Sequence, residues 1–181
     1  MTKVNEYYRN KTGISKEVCD VLLKEVENVR LTTATTTQSS ILTDKRICKT
    51  GWIYGDSWIG GMLAHYVNVA NNQSFHYDLV DWAAPIQYTV YDTEGSLYSW
   101  HYDTCESNGL MRKLSISMCL SDPSEYEGGE FQIRIQDGIE TFKMGRGEVI
   151  VFPSDCYHKV RKIKSGIRRS LVGWMGGPRF R

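Results

Sequence analysis

No stretch of this 181-residue chain approaches the apolar length of a membrane span, and its opening residues, Met-Thr-Lys-Val-Asn-Glu-Tyr-Tyr-Arg, carry no apolar leader. Charge of one sign is also missing. Twenty-two Lys and Arg against 21 Asp and Glu give a formal charge of +1, so no global field draws the chain to nucleic acid or to a membrane surface. The five cysteines, an odd number, include no C-x-x-C pair; this argues against a disulfide framework and for reduced thiols in a cytoplasmic protein. The length makes a single domain over residues 1–181 the expectation, with enough chain to build a core without covalent staples.

Helical signals are confined to roughly the first 74 residues. Tyr7-Tyr8 reads as an edge strand or as packing. Ser15 caps a helix in which Val18, Val21, Leu22, Val26 and Val29 recur at helical spacing, with Ile14 at its start and Glu17 at the positive end of its dipole. The hydroxyl-rich stretch Leu31–Ser40, within a 31–45 loop, reads as a mobile connector, with a lid over substrate as the alternative. Arg46–Trp52 is a short strand. Ser57 then caps a second helix whose core stripe is expected to be Trp58, Met62, Tyr66 and Val69, ending near Asn71-Asn72. His65 lies beside that stripe and has no acid or second histidine at i+4, so a structural role is expected.

From Phe75 onward the pattern changes to short β-prone runs bounded by turn residues: Phe75–Trp82, Ile86–Tyr91, Tyr98–Tyr102, Leu114–Ser121, Gly129–Gln136, Ile139–Met144, Glu148–Phe152, His158–Ile163 and Arg168–Trp174. Asp137-Gly138 is the strongest hairpin signal. Two helices followed by many short strands predict an α+β, mainly β fold: a double-stranded β-helix (jelly roll) over roughly 75–181, with two N-terminal helices packed outside.

Within that frame Trp100-His101-Tyr102-Asp103 places an imidazole and a carboxylate two residues apart. On a strand both point to one face and can reach one metal ion. His158 is the best third ligand, because it follows a turn signal and opens a strand-like run. Two histidines and one carboxylate on one face of an octahedral ion suit non-haem Fe(II) and oxygen activation. The same tripeptide occurs at His76-Tyr77-Asp78, and spacing does not separate the copies. The apolar neighbours Phe75, Tyr77 and Leu79 make the first copy readable as the solvent face of a strand, whereas Tyr91 and Tyr98 precede the second.

These residues, with Gln87–Tyr91, Arg112–Ser121, Tyr126–Phe131, Gly147–Ser154 and Arg168–Trp174, resemble the Fe(II)/2-oxoglutarate-dependent dioxygenases of the prolyl 4-hydroxylase-like group. The resemblance assigns His101, Asp103 and His158 to iron and leaves His76 and Asp78 structural. It implies that Arg168, ten positions past His158, grips the far carboxylate of 2-oxoglutarate, which a planar guanidinium does through two parallel hydrogen bonds. It also implies that the Tyr91 phenol hydrogen-bonds the cosubstrate and that Tyr98 lies nearer the substrate. Relatives often carry a tyrosine or threonine in the strand Leu114–Leu120 to assist that arginine. None stands here, and Ser117, on a small polar face expected to look inward, is the candidate.

The chemistry so implied uses Fe(II), 2-oxoglutarate and O2, with ascorbate as a candidate auxiliary. It hydroxylates an unactivated C–H bond and releases succinate and CO2. The expected substrate is a prolyl residue in a protein or peptide, held near Tyr98, Trp100, Tyr102, Arg112 and the 31–45 loop, with no nucleic-acid or membrane partner. A free amino acid or other small metabolite is the alternative substrate. A cupin-like metal-binding or non-catalytic binding module is the alternative from another class.

Overall fold

The structure is a computed structural model that describes residues 6–11, 14–34 and 45–179. In chain order its elements are β1 (Tyr8–Asn10), α1 (Lys16–Val26), β2 (Thr32–Thr33), β3 (Arg46–Ile47), β4 (Lys49–Ile53), α2 (Trp58–Ala70), β5 (Asp81–Trp82) and β6 (Ile86–Tyr91). Then come β7 (Leu97–His101), β8 (Glu106–Ser107), β9 (Leu110–Cys119), β10 (Tyr126–Gly128), β11 (Phe131–Ile135) and β12 (Gly138–Phe142). The last four are β13 (Val149–Pro153), β14 (His158–Val160), β15 (Ile163–Gly166) and β16 (Arg168–Gly177). The protein is mainly β, with antiparallel sheets and two α-helices among the described residues. None of these helices is long and apolar enough to cross a membrane.

Two sheets carry the architecture. The major one runs β1-β13-β9-β16-β6-β4-β2, with β5 beside β16 and β8 beside β9; the minor one runs β12-β11-β14-β7-β3. β10 and β15 form a separate pair. Alternation divides the major sheet's side chains in two. Ile86, Tyr88, Val90, Leu114, Ile116, Met118 and Leu171 form one core cluster with Leu22, Val26, Ile59, Leu63 and Val67 of the helices. On the other face, Tyr91, Cys119, Ile150 and Phe152 form a second cluster with Phe131, Ile133 and Val160 of the minor sheet. The N-terminal region is not only helical, since β1, β2 and β4 extend the major sheet and β3 the minor one.

Both helices begin where their caps predict. Ser15 Oγ accepts from Val18 N at 3.4 Å and Ser57 Oγ from Gly60 N at 3.2 Å. Their buried faces differ from the expected stripes. In α1 the buried residues are Cys19, Leu22 and Val26, whereas Val18 and Val21 are 38% and 52% exposed, and the helix stops at Val26 rather than near Val29. In α2 the inward arc is Ile59, Leu63, Val67 and Ala70, and Trp58 is 48% exposed. Gly60 explains the rotation: a Cβ there would lie 1.9 Å from the Gly55 carbonyl oxygen. That close backbone approach turns the 59–60 side inward and leaves the larger Trp58 at the margin, with Met62 and Tyr66 only partly buried against the core.

The run Phe75–Trp82 is not one strand. The chain leaves α2 through a π-helical turn, Asn71–Phe75, and His76 takes a left-handed conformation at φ 56°. The Asn71 side chain accepts from Tyr77 N at 2.8 Å and donates to Tyr77 O at 3.0 Å, so local side-chain bonds replace a ladder; only Asp81–Trp82 pairs. The run His158–Ile163 likewise divides into β14 and β15 in different sheets. The predicted hairpin is present as β11–β12: Gln136 and Asp137 make the turn, and Gly138, at φ 139°, opens the return strand. The mobile connector expected of the 31–45 loop, and the alternative lid, fall largely on residues 35–44, outside the described residues; Thr32–Thr33 pair with Lys49 and Thr50. Replacing Leu63, fully buried under the major sheet, by alanine is expected to lower unfolding free energy by about 3 kcal/mol, against less than about 1 kcal/mol for Trp58→Ala, measured by urea denaturation.

Candidate active site

The site lies between the two sheets, and a β-bulge sets it up. His158 pairs with His101 but Val160 pairs with Tyr98, so β7 carries one residue more than β14. The bulge turns Tyr98 and His101 to the same side despite their odd spacing; their rings stack with centroids 3.5 Å apart. β7 ends at His101. Asp103 therefore does not share a strand face with His101, as expected, but is placed by a hydrogen bond from its N–H to Ser154 O at 2.9 Å.

Three donor groups converge there. His101 Nε2 lies 3.5 Å from Asp103 Oδ1, and His158 Nε2 lies 3.4 Å from Asp103 Oδ2. Ligand atoms from all three residues lie within 4.8 Å of one another. Each imidazole points its other nitrogen at a carbonyl two residues back, His101 Nδ1 to Ser99 O at 2.8 Å and His158 Nδ1 to Cys156 O at 2.9 Å. Those contacts assign the proton to Nδ1 and leave Nε2 as the ligand atom. Ser115 Oγ donates to Asp103 Oδ2 at 2.8 Å and lies 3.0 Å from Ser154 Oγ. Burial and donor chemistry thus fit a divalent transition metal, which His101, Asp103 and His158 would hold.

The electrostatics agree. Burial alone would raise the Asp103 pKa, but His158, His101 and Ser115 outweigh it and hold the carboxyl well below its ordinary range. Burial, only partly offset by Asp103, pushes the His158 pKa down from 6.5 to about 4, so this imidazole is neutral and free to ligate at pH 7.

A cavity of about 40 Å³, partly open to solvent, is lined by the triad and by Arg168. Arg168 starts β16 opposite Tyr91 and is 1% exposed. Its Nη1 donates to Ser170 Oγ at 3.2 Å, while Nε and Nη2 are buried without a protein partner. Burial works against its charge, yet Cys119, Tyr91 and Tyr126 around it raise its pKa above the ordinary arginine value. A Cβ on Gly129 would crowd Arg168 Cδ at 3.1 Å and Ile163 at 2.4 Å, so the chain passes this arginine only as glycine, at φ 64°.

Tyr91, Ser117 and Tyr98 all line the cavity. Burial raises the Tyr91 pKa well above 10.0 and keeps the phenol protonated. Trp100 is turned away, stacked on Tyr157 at 5.2 Å, and Tyr102 leans on the same ring at 4.6 Å. Arg112 does not line the cavity but lies 4.0 Å over Trp174, which does. His65, His76 and Asp78 are exposed and outside the cluster. Sequence reasoning missed Ser154, Gln87, Thr89, Ser170 and Trp174. The polar alternation Gln87-Thr89-Tyr91 against Ile86-Tyr88-Val90 was the available signal.

Residues 86–176 match the family model described as the 2OG-Fe(II) oxygenase superfamily. The chain belongs to that superfamily. Among curated relatives, a PKHD-type hydroxylase of Synechococcus sp. (strain CC9902) is 40% identical over 81 residues, covering 45% of this chain and 36% of the relative. One from Acaryochloris marina (strain MBIC 11017) is 35% identical over 82 residues, covering 45% and 37%. The matched segment thus spans little more than a third of the length of these relatives. Oxygenase folds among solved structures superpose on nearly the whole chain. A Pseudomonas putida prolyl-4-hydroxylase has a TM-score of 0.73 at 20% identity, covering 97% of this chain and 94% of that one. A Trichoplax adhaerens prolyl hydroxylase in complex with a hypoxia inducible factor peptide fragment has 0.75 at 15% identity, covering 95% and 84%.

Two measurements test this oxygenase site. In metal-free protein the folded His158 pKa lies below its unfolded value, so its contribution to stability is complete above pH 6.5 and declines as pH falls towards about 4. Denaturant titrations across that window should show the decline, and His158→Asn should flatten it. Ser115→Ala, which removes the donor to Asp103, should weaken divalent-metal affinity roughly tenfold to a hundredfold in isothermal titration.

Proposed function

We propose that this chain is an Fe(II)- and 2-oxoglutarate-dependent hydroxylase built on a double-stranded β-helix, acting on a prolyl residue of a protein or peptide with release of succinate and CO2. One observation carries the reading: a fully buried guanidinium with unpaired nitrogens lines the same cavity as a His-Asp-His metal cluster. A buried charge without a partner is strongly destabilising, and a cavity lined by metal ligands and this cation suits a 2-oxo dicarboxylate. Family membership points the same way. The solved prolyl hydroxylases with the same fold, one of them holding a peptide fragment, support a peptide substrate. Five free thiols support a reducing, cytoplasmic setting.

Bound iron, with 2-oxoglutarate and oxygen, supplies the oxidising power for C–H hydroxylation. His101, Asp103 and His158 would hold the metal through Nε2 and carboxylate oxygens. Arg168 would fix the far carboxylate of 2-oxoglutarate by parallel charge-assisted hydrogen bonds, with Ser170 steadying the guanidinium. The protonated Tyr91 phenol would donate to the cosubstrate, and Ser117 would offer a further hydroxyl where relatives carry a larger residue. Phe131, Phe152 and Val172 line the remaining walls and keep water from the reacting centre.

Arg168→Gln is expected to raise the 2-oxoglutarate KM roughly tenfold to a hundredfold, the size of a lost charge-assisted contact, with metal affinity retained in a separate titration. Asp103→Ala should abolish Fe(II)-dependent succinate formation, and Asp78→Ala should leave it intact. Loss of metal binding in Asp78→Ala would instead place the site at the first tripeptide. Metal binding without any 2-oxoglutarate-dependent succinate would favour the cupin-like or binding-module reading.

A further inference from the structure

Two more arginines stand beside this cavity. Arg46 pairs in register with Tyr98 across β3 and β7, and its guanidinium lies 4.5 Å over the Tyr98 ring. Its Nη2 donates to Gln87 Oε1 at 3.0 Å, and Gln87 Nε2 donates to Thr89 Oγ1 at 2.7 Å. The amide is therefore held with its oxygen towards the arginine, which pre-orients the cation. Arg112 comes from the opposite sheet. The β9–β16 register slips between Met175 and Gly176, pairing Leu114 with Met175 but Arg112 with Gly176. That bulge accompanies the placement of Arg112 at 4.0 Å over the Trp174 ring.

Each guanidinium thus packs against a ring that lines the cavity, Tyr98 for Arg46 and Trp174 for Arg112, and each has a buried Nε without a partner. Four arginines show a buried, unpaired nitrogen among the described residues: Arg46, Arg112, Arg146 and Arg168. Arg146 is ion-paired with Asp20. Of the other three, Arg168 lines the cavity and Arg46 and Arg112 lie against rings that line it, and no carboxylate among the described residues is within ion-pair distance of any of them. Arg168 already has a ligand on the reading above. Arg46 and Arg112 leave a second positive locus, at Tyr98 and Trp174. Both charges act on the Tyr98 hydroxyl, lowering its pKa against the effect of burial.

We propose that Arg46 and Arg112 select a substrate carrying a carboxylate next to the prolyl ring, as in a peptide with Asp or Glu adjacent to the target proline. The inference rests on the prolyl hydroxylase reading and sharpens its substrate class. Trp174, Val172 and Phe131 offer the ring an apolar wall, while the two guanidinium groups offer the neighbouring acid charge-assisted hydrogen bonds.

The experiment uses the full chain with Fe(II) and 2-oxoglutarate, and three otherwise identical peptides with Glu, Gln or Lys beside one proline. Free L-proline serves as a fourth substrate. Hydroxylation is read by mass spectrometry, and peptide affinity by fluorescence anisotropy without oxygen. At least a tenfold preference of kcat/KM for the Glu peptide over the Gln peptide is expected, with a matching difference in affinity. Arg112→Gln should remove most of the preference, and Arg112→Glu should turn it towards the Lys peptide. A tenfold preference for free L-proline that Arg112→Gln also removes would support the carboxylate contact and assign it to the main chain. Equal turnover and affinity for the Glu and Gln peptides, with free proline no better, would overturn the inference and leave the prolyl reading standing. Failure to oxidise any peptide or free proline, with succinate still formed from 2-oxoglutarate, would overturn the prolyl reading and the inference with it.

Discussion

A carboxylate buried between two imidazoles is the constraint on which the rest of this structure depends. Asp103 is 8% exposed and has His101 and His158 at 3.5 and 3.4 Å. A lone carboxylate in such a position would protonate rather than stay charged. Here Ser115 donates to it and the Ser154 carbonyl holds its backbone, so the charge and its direction are both maintained. The groups that do this come from the end of β7, from β9, from the turn after β13 and from β14. The cluster exists only when both sheets are assembled.

The cavity repeats the principle with opposite sign. Arg168 is surrounded by Tyr91, Tyr126 and Cys119, none of them an ordinary counterion at neutral pH. Its packing depends on Gly129, because a side chain there would fill the space the arginine uses. An anionic metal ligand and an uncompensated cation polarise a small cavity lined with aromatic rings and hydroxyls. Low local dielectric strengthens both interactions. On the proposed reading, the charge of such a cavity is complemented by a small dicarboxylate.

Much of the site was legible because its chemistry is unusual for its position. His101, Asp103 and His158 stood out as metal-binding residue types in β-prone surroundings, Arg168 followed from a resemblance, and the alternation of Ser115 and Ser117 correctly pointed inward. Other readings failed for identifiable reasons. Two overlapping hydrophobic arcs run along α2, and the choice between them was made by the contact of Gly60 with the Gly55 carbonyl, which periodicity does not register. The segment after α2 looked β-prone but was taken by a π-turn and the bonds of the Asn71 side chain. Ser154 and Trp174 are ordinary residues made functional by what lies across the sheet.

Residue type, period and turn chemistry determined the helix starts, the β-rich region after Ser74, the Asp137-Gly138 hairpin and the identity of the titratable groups. These are short-range properties, set by caps, side-chain alternation and backbone preference within a few residues. The resemblance had already chosen between the two His-Tyr-Asp copies; the tertiary structure decided how Asp103 reaches the site from beyond its strand, how Arg46 and Arg112 stand to the cavity, and which helix face is buried. Bulges in β7 and β9 made several of those decisions. A bulge is defined by the register of two distant strands, and one extra residue turns the following side chains to the other face. Such a register is a property of the pair, and neither strand's sequence contains it alone.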